Sequence, residues 1–292
     1  MKEKKLNKKN LIRKITLILI IIALIVILNL IFRYTFKNLK NKKEFENNIT
    51  SFANKNEKTI FSIDKIIFFS SCDSKNKTSS KTNFTIENLY AYTDISIFIN
   101  NQSNQKDEKE TLINSNEEEN TNKNTAENTL KNVKITNITF TKQPELGNGN
   151  LYYKNVKNFA KSEIKEENKI DTELQFETTS ASEADLDKPI LYNNCANPIT
   201  LSYINQNIKA DYTMTDTQNP ITYNGKLLKR CGVSTETINA SISFEIEIEN
   251  NKNQKFKTTV YFDIPYENEE KSINDGSIIV EKETNFKFYR YE

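Results

Sequence analysis

The chain has 292 residues, of which 36% are hydrophobic, and it contains no histidine and only five glycines. The lack of histidine excludes Ser-His and Cys-His nucleophile pairs and imidazole metal sites, and the few glycines leave no loop of the kind that cradles phosphates. The net charge of +2 is unevenly distributed, because residues 1–43 hold 12 of the 41 basic and 1 of the 39 acidic residues. The remainder has 29 basic and 38 acidic residues and a net charge of −9. This negative charge disfavours nucleic-acid binding.

The first element is the apolar run "ITLILIIIALIVILNLIF" that begins at Ile15 and ends at Phe32. As a helix this run is about 27 Å long, close to the thickness of a bilayer's hydrocarbon core. Bulky side chains follow it instead of the small residues of a signal-peptide cleavage site. The pattern predicts an uncleaved signal-anchor, with a single transmembrane helix at 15–33.

The charges around this helix predict its orientation. Seven cations precede it against the single acidic residue Glu3, and they are Lys2, Lys4, Lys5, Lys8, Lys9, Arg13 and Lys14. Basic segments tend to remain on the cytoplasmic side. We therefore expect a single-pass protein of the cell membrane, with residues 1–14 as a basic cytoplasmic tail and the bulk of the chain extracytoplasmic.

The next two predicted regions are a connector and a β-rich domain. Residues 34–57 read as a juxtamembrane helix or a solvated stalk, because apolar residues are sparse there but Phe45, Ile49 and Phe52 share one side of a helix. Residues 58–292 then form an extracytoplasmic β-rich domain. Inside it, 101–129 is rich in Asn, Glu and Lys and nearly free of large apolar residues, which predicts a disordered insert.

Alternation of apolar and polar residues recurs along most of the domain and predicts strands. The clearest stretches are "TIFSIDKIIFFSS", "FTIENLYAY", "DISIFIN", "VKITNITFT", "ELQFET", "ITLSYI", "IKADYTM", "SIIVEKE" and "NFKFYRYE". In "VKITNITFT" the apolar phase shifts between Ile135 and Ile138, which indicates a bulge. The dipeptides Asn224-Gly225 and Asp275-Gly276 read as turns.

The stretch "SISFEIEIENNKNQKFKTTVYFDIP" predicts a hairpin with one buried and one solvated face. Folding it about "NNKNQ" sets Ile248 opposite Phe256 and Phe244 opposite Val260. The same register sets Glu247 opposite Lys257, so both faces agree on it. We therefore predict a mainly β fold, an antiparallel β-sandwich of Ig-like or jelly-roll type behind the transmembrane helix. It forms one sandwich or two, with a candidate joint between subdomains at 180–189.

Candidate site residues are few. Glu183, Asp185 and Asp187 in "EADLDKP" are acidic at alternate positions and form a candidate calcium site, with a solvated linker as the alternative. The carboxylates Glu245, Glu247 and Glu249 line one face of a strand. A pair of carboxylates can catalyse glycoside hydrolysis without histidine. Lysines across the hairpin are, however, the evident partners of these glutamates.

Three cysteines and a set of tyrosines complete the candidates. Cys195 and Cys231 are the candidate pair for a disulfide in an oxidising compartment, and Cys72 then remains unpaired. The alternative is that all three cysteines are buried, reduced thiols. Six tyrosines fall on or beside predicted strands. They form a contact patch for a protein or a carbohydrate, or they occupy ordinary positions at strand edges and in the core. They are Tyr203, Tyr212, Tyr223, Tyr261, Tyr289 and Tyr291.

The plan of anchor, amphipathic helix and β-rich outer domain is similar to that of type IV pilin-like subunits. The start "LIRKITLILIIIAL" lacks the Gly and the Glu that mark the processing and assembly region of those subunits.

The leading hypothesis is therefore a non-enzymatic, membrane-anchored β-sandwich protein for surface contact, or an accessory in a cell-envelope assembly. A pilin-like filament subunit and a histidine-independent hydrolase are the alternatives. No catalytic residue and no cofactor are predicted, and the expected partners are the bilayer and an envelope protein or carbohydrate, not nucleic acid.

Overall fold

The computed structural model describes residues 14–33, 36, 39–40, 42–43, 60–79, 84–101, 129–155, 165–185, 187–214 and 221–292. The chain divides into two compact units, residues 1–57 and Lys58–Glu292. Apart from its end residues, the predicted insert 101–129 lies outside the described residues, as does most of the predicted connector 34–57.

The first unit contains one long helix, α1 (Lys14–Arg33). Its 20 residues are long and apolar enough to cross a membrane, and no part of its apolar stretch is buried within the protein. The aliphatic side chains point outward on every side of the helix, from Ile15 to Phe32. A helix with this surface is suited to a lipid environment, so the prediction of an apolar helix of spanning length is confirmed.

The second unit is mainly β, as predicted, and strands make up 55% of the residues that the structure describes. Its strands are β1 (Phe61–Ser79), β2 (Phe84–Asn101), β3 (Leu130–Lys142), β4 (Asn148–Tyr153), β5 (Leu174–Thr179), β6 (Ile190–Tyr192), β7 (Ile199–Met214), β8 (Ala240–Asn250), β9 (Lys255–Ile264), β10 (Ile278–Lys287) and β11 (Tyr289–Arg290). Two short helices, α2 (Lys226–Arg230) and α3 (Thr235–Ile238), precede β8.

The strands form two sheets. Sheet A has the order β10-β1-β2-β7-β4, and sheet B has the order β11-β9-β8-β3-β5-β6. Neighbouring strands are antiparallel except β5 and β6, which are parallel. The predicted subdomain joint at 180–189 connects these two neighbouring strands of sheet B within the second unit.

The two sheets pack face to face over one large hydrophobic core. Aromatic rings cross the interface: the ring of Phe68 on β1 meets that of Phe262 on β9 at a centroid distance of 5.1 Å, and Phe61 meets Phe256 at 5.4 Å. Alternate residues of both sheets supply the remaining core side chains. A second core lies around α2, α3 and the ends of β1, β2, β7 and β10.

The β8–β9 hairpin has the predicted register. Ile248 pairs with Phe256, Phe244 with Val260 and Glu247 with Lys257. The apolar row on β8 is buried and the glutamate row is at least partly exposed. The ion pairs differ from the expectation, because Lys257 Nζ lies 3.7 Å from Glu245 and Glu249 accepts from Lys131 on β3 at 2.6 Å. Long side chains reach diagonal neighbours as readily as the residue directly opposite.

The predicted bulge in β3 is confirmed. The pairing of β3 with β8 shifts between Thr136 and Thr139. Asn137 lies in the left-handed region with φ 53°. Asparagine tolerates that region better than other side chains, so the extra residue is accommodated at little cost.

Three local features differ from the prediction. Strand β1 extends beyond the predicted stretch, which ends at Ser71, and continues to Ser79, because it pairs with the start of β2. Asn224-Gly225 forms a turn, in which the Leu227 N–H donates to the Asn224 carbonyl at 2.9 Å, but this turn leads into α2 and does not join two strands. The Asn224 side chain accepts the backbone N–H of Lys226. The predicted stretches "SIIVEKE" and "NFKFYRYE" do not form two separate strands along their length: β10 runs through the first into the second and pairs along β1, and the short β11 follows on sheet B. In each case a tertiary partner overrides the local signal.

Candidate functional site

The outer face of sheet B carries a groove at its β11 edge. The groove has a volume of about 200 Å³ and is lined by Asn132, Lys134, Glu247, Ile248, Glu249, Lys255 and Tyr291. These residues come from β3, β8, β9 and the chain end, which the antiparallel pairing brings side by side. Because successive side chains alternate between faces, the residues that point away from the core converge here.

One tyrosine lines this groove, and two further tyrosines lie on the same face. Tyr291 lines it, and the Lys257 ammonium lies 5.5 Å from the centre of the Tyr291 ring. Tyr289 is opposite Lys257, so it shares the outer face. Tyr261 on β9 is 63% exposed. Exposed tyrosine beside charged groups is a composition that favours contacts with a partner.

The glutamates on this face have polar partners. Burial raises the pKa of the Tyr291 hydroxyl, and the nearby Glu247 carboxylate raises it further. Lys257 bridges towards Glu245, and Lys131 towards Glu249. These glutamates are thus held by lysines and a tyrosine, an arrangement typical of a polar contact surface and unlike a glycosidase carboxyl pair in an open cleft.

The other predicted tyrosines do not join this face. Tyr203 is buried in the main core, and its ring packs against Phe140. Tyr212 lies on β7, with the Lys209 ammonium 3.9 Å from the centre of its ring. Tyr223 precedes α2 and packs against Phe84. Of the six predicted tyrosines, Tyr261, Tyr289 and Tyr291 are therefore the ones that share a surface.

A second cluster is buried in sheet A and was not predicted. The Lys154 Nζ lies 2.5 Å from Asp94 Oδ2, and the Ser202 hydroxyl donates to Asp94 Oδ1 at 2.7 Å. The side chains of Lys154 and Asp94 are 3% and 4% exposed. Asp94 lies on β2, Ser202 on β7 and Lys154 directly after β4, three neighbouring strands of sheet A. We call these three residues the buried polar cluster.

Burial raises the pKa of the Asp94 carboxyl, against the opposing attraction of Lys154 and the hydrogen bonds from Lys154 and Ser202. Desolvation disfavours the charged carboxylate, while a neighbouring cation and donors favour it. Because the cluster is closed to solvent, no substrate reaches it. In the sequence, Asp94 is the first residue of the predicted stretch "DISIFIN", and no local signal distinguishes it from other polar residues.

The calcium candidates Glu183, Asp185 and Asp187 all lie exposed on the segment between β5 and β6. The Asp185 carboxylate accepts the backbone N–H of Asp187 at 3.2 Å. Across the described ranges, no three His, Cys, Asp or Glu side chains are grouped closely enough to hold a metal ion. Calcium binding at this segment stays a prediction.

The three cysteines are free thiols in the structure. Cys195 packs against the main core, whereas Cys231 lies in the second core together with Cys72. Burial raises the pKa of Cys195 to about 12 and also raises that of Cys231. These thiols are thus poor nucleophiles in the folded chain. A Cys195–Cys231 disulfide stays a prediction.

Comparisons of the chain with models of protein families, with curated proteins and with solved structures found no match.

Proposed function

We propose that this protein is a non-enzymatic, single-pass membrane protein whose β unit lies outside the cytoplasm and contacts another envelope protein. The observation that carries the proposal is α1, which is apolar on all sides and long enough to span a bilayer. The seven cations before it and the acidic composition after Lys43 favour a cytoplasmic N-terminus.

The contact role rests on the outer face of sheet B. Its groove combines Tyr291 with lysines and glutamates from three strands, and Tyr261 and Tyr289 extend the aromatic surface. Tyrosine is enriched at protein interfaces because it offers a large apolar ring with a polar tip. Glu245 and Glu249 on this face are already paired with lysines, so the face is better suited to binding than to hydrolysis.

Photo-crosslinking from the groove tests the contact role. We expect a photoreactive phenylalanine analogue in place of Tyr291 to form one discrete adduct with another membrane or envelope protein in cells. The matched control places the same analogue at Ile279, which is exposed on sheet A. Equal adducts from both positions, or none from Tyr291, would contradict the assignment of this face as the contact surface.

A further inference from the structure

The contact between Asp94 and Lys154 is unusual because an amine and a carboxyl group are held together out of water. The Nζ–Oδ2 distance is 2.5 Å, and both side chains are nearly inaccessible. We propose that Lys154 and Asp94 condense to an intramolecular amide, a covalent cross-link between the segment after β4 and strand β2. This modification site is independent of the contact face on sheet B.

The backbone fixes both reacting groups. Asp94 lies in the middle of β2, where it is paired with Ser202 on β7. The Lys154 backbone N–H donates to the Thr200 carbonyl at 3.3 Å, and the Thr200 hydroxyl donates to the Lys154 carbonyl. Groups held in contact by the fold react as if at very high concentration, so the entropy of bringing them together has already been lost on folding.

Burial also favours the protonated carboxyl group that the reaction needs, because desolvation raises the pKa of Asp94. The reaction begins with transfer of one proton from Nζ to Oδ2, which gives a neutral amine and a neutral acid. The amine is then a nucleophile, and the acid carries its own leaving group as a hydroxyl. In water both groups would remain charged and unreactive.

The step balances without a further reagent. Lys154 Nζ attacks Asp94 Cγ and forms the N–C bond, and the developing charge falls on Oδ1, which accepts from the Ser202 hydroxyl at 2.7 Å. A donor aimed at this oxygen stabilises the tetrahedral intermediate. The Cγ–Oδ2 bond then breaks, and Oδ2 departs as water with the proton that it holds and one proton from the nitrogen. The ammonium and carboxylate are thereby converted into one amide and one water.

The cross-link has a topological consequence that is simple to measure. Asp94 precedes and Lys154 follows the predicted insert 101–129, and the two residues are 60 positions apart. A chain cut within the insert therefore remains one covalent molecule if the amide is present. Without the amide, the same cut gives two polypeptides that separate after denaturation and reduction.

The experiment places a specific protease site within residues 103–127 of the full chain, purified in detergent. We expect the cleaved protein to run as one species on a reducing, denaturing gel. The intact mass of the uncut chain is expected to be lower than the sequence mass by one water. Peptide mapping is expected to join the peptide that contains Asp94 to the one that contains Lys154.

Two variants make the result specific. Lys154→Met is expected to restore the full sequence mass and to release two fragments after cleavage. The matched control is Lys131→Met, since Lys131 forms a 2.6 Å ion pair with Glu249 but is half exposed; this variant is expected to keep the mass deficit and the single species. A parent chain with the full sequence mass that falls into two fragments would overturn the proposal and leave an ordinary ion pair.

Discussion

Replacement of Lys154 by methionine is expected to lower the free energy of unfolding of the β unit by about 3–5 kcal/mol. The substitution leaves the Asp94 carboxyl buried without the cation that offsets its desolvation. Loss of the proposed amide adds to the effect, because the cross-link restricts the unfolded chain. Denaturant unfolding of the full chain in detergent, followed by near-ultraviolet circular dichroism of its many aromatic residues, measures the change.

An exposed pair provides the comparison for this prediction. Lys131 and Glu249 are bound at a similar distance, but the Lys131 side chain is half exposed. Lys131→Met is expected to cost about 1 kcal/mol or less, because water screens the pair and solvates the partner that remains. If the two substitutions lower the free energy of unfolding equally, the buried polar cluster stabilises the fold no more than an exposed ion pair does.

Phe244→Ala is expected to destabilise the β unit by about 3–5 kcal/mol, the usual cost of removing a large side chain from a packed core. Phe244 is fully buried at the centre of the β8–β9 hairpin. Its ring meets that of Phe262 edge to face at a centroid distance of 6.0 Å. Thermal or denaturant unfolding measures the loss.

The opposite face of the same strand gives the control. Glu247→Ala is expected to cost about 1 kcal/mol or less, because its partners lie on a solvated surface. Its loss removes the neighbour that raises the pKa of Tyr291, without opening a cavity. A silent Phe244→Ala, or a large loss from Glu247→Ala, would mean that the two faces of the hairpin are exchanged.

The hairpin could be predicted because two independent patterns specify one register. Apolar residues alternate on both strands, and the glutamates of β8 meet the lysines of β9 in that register, whereas a one-residue slip separates them and exposes the apolar residues. The bulge at Asn137 was predictable for a related reason, since a shift of apolar phase within a strand requires an extra residue. Periodicity is thus informative wherever one face is buried.

The features that sequence could not predict depend on contacts between distant segments. The role of Asn224-Gly225 as a helix start follows from packing of α2 into the second core, where Leu227 and Leu228 are buried. Asp94, Lys154 and Ser202 come from three strands, and their meeting depends on the order β2-β7-β4. The groove on sheet B likewise needs the return of the chain end beside β9.

The most direct measurement of the central claim, that the β unit lies outside the cytoplasm, is thiol labelling of intact cells. Tyr261→Cys places a thiol at a position that is 63% exposed, while the native Cys72 and Cys231 are 1% exposed and Cys195 is partly buried. We expect a membrane-impermeant maleimide to label this variant equally before and after permeabilisation, above the level of the parent chain. A Lys5→Cys variant is expected to react only after permeabilisation. Labelling of Tyr261→Cys that requires permeabilisation would contradict the proposed orientation.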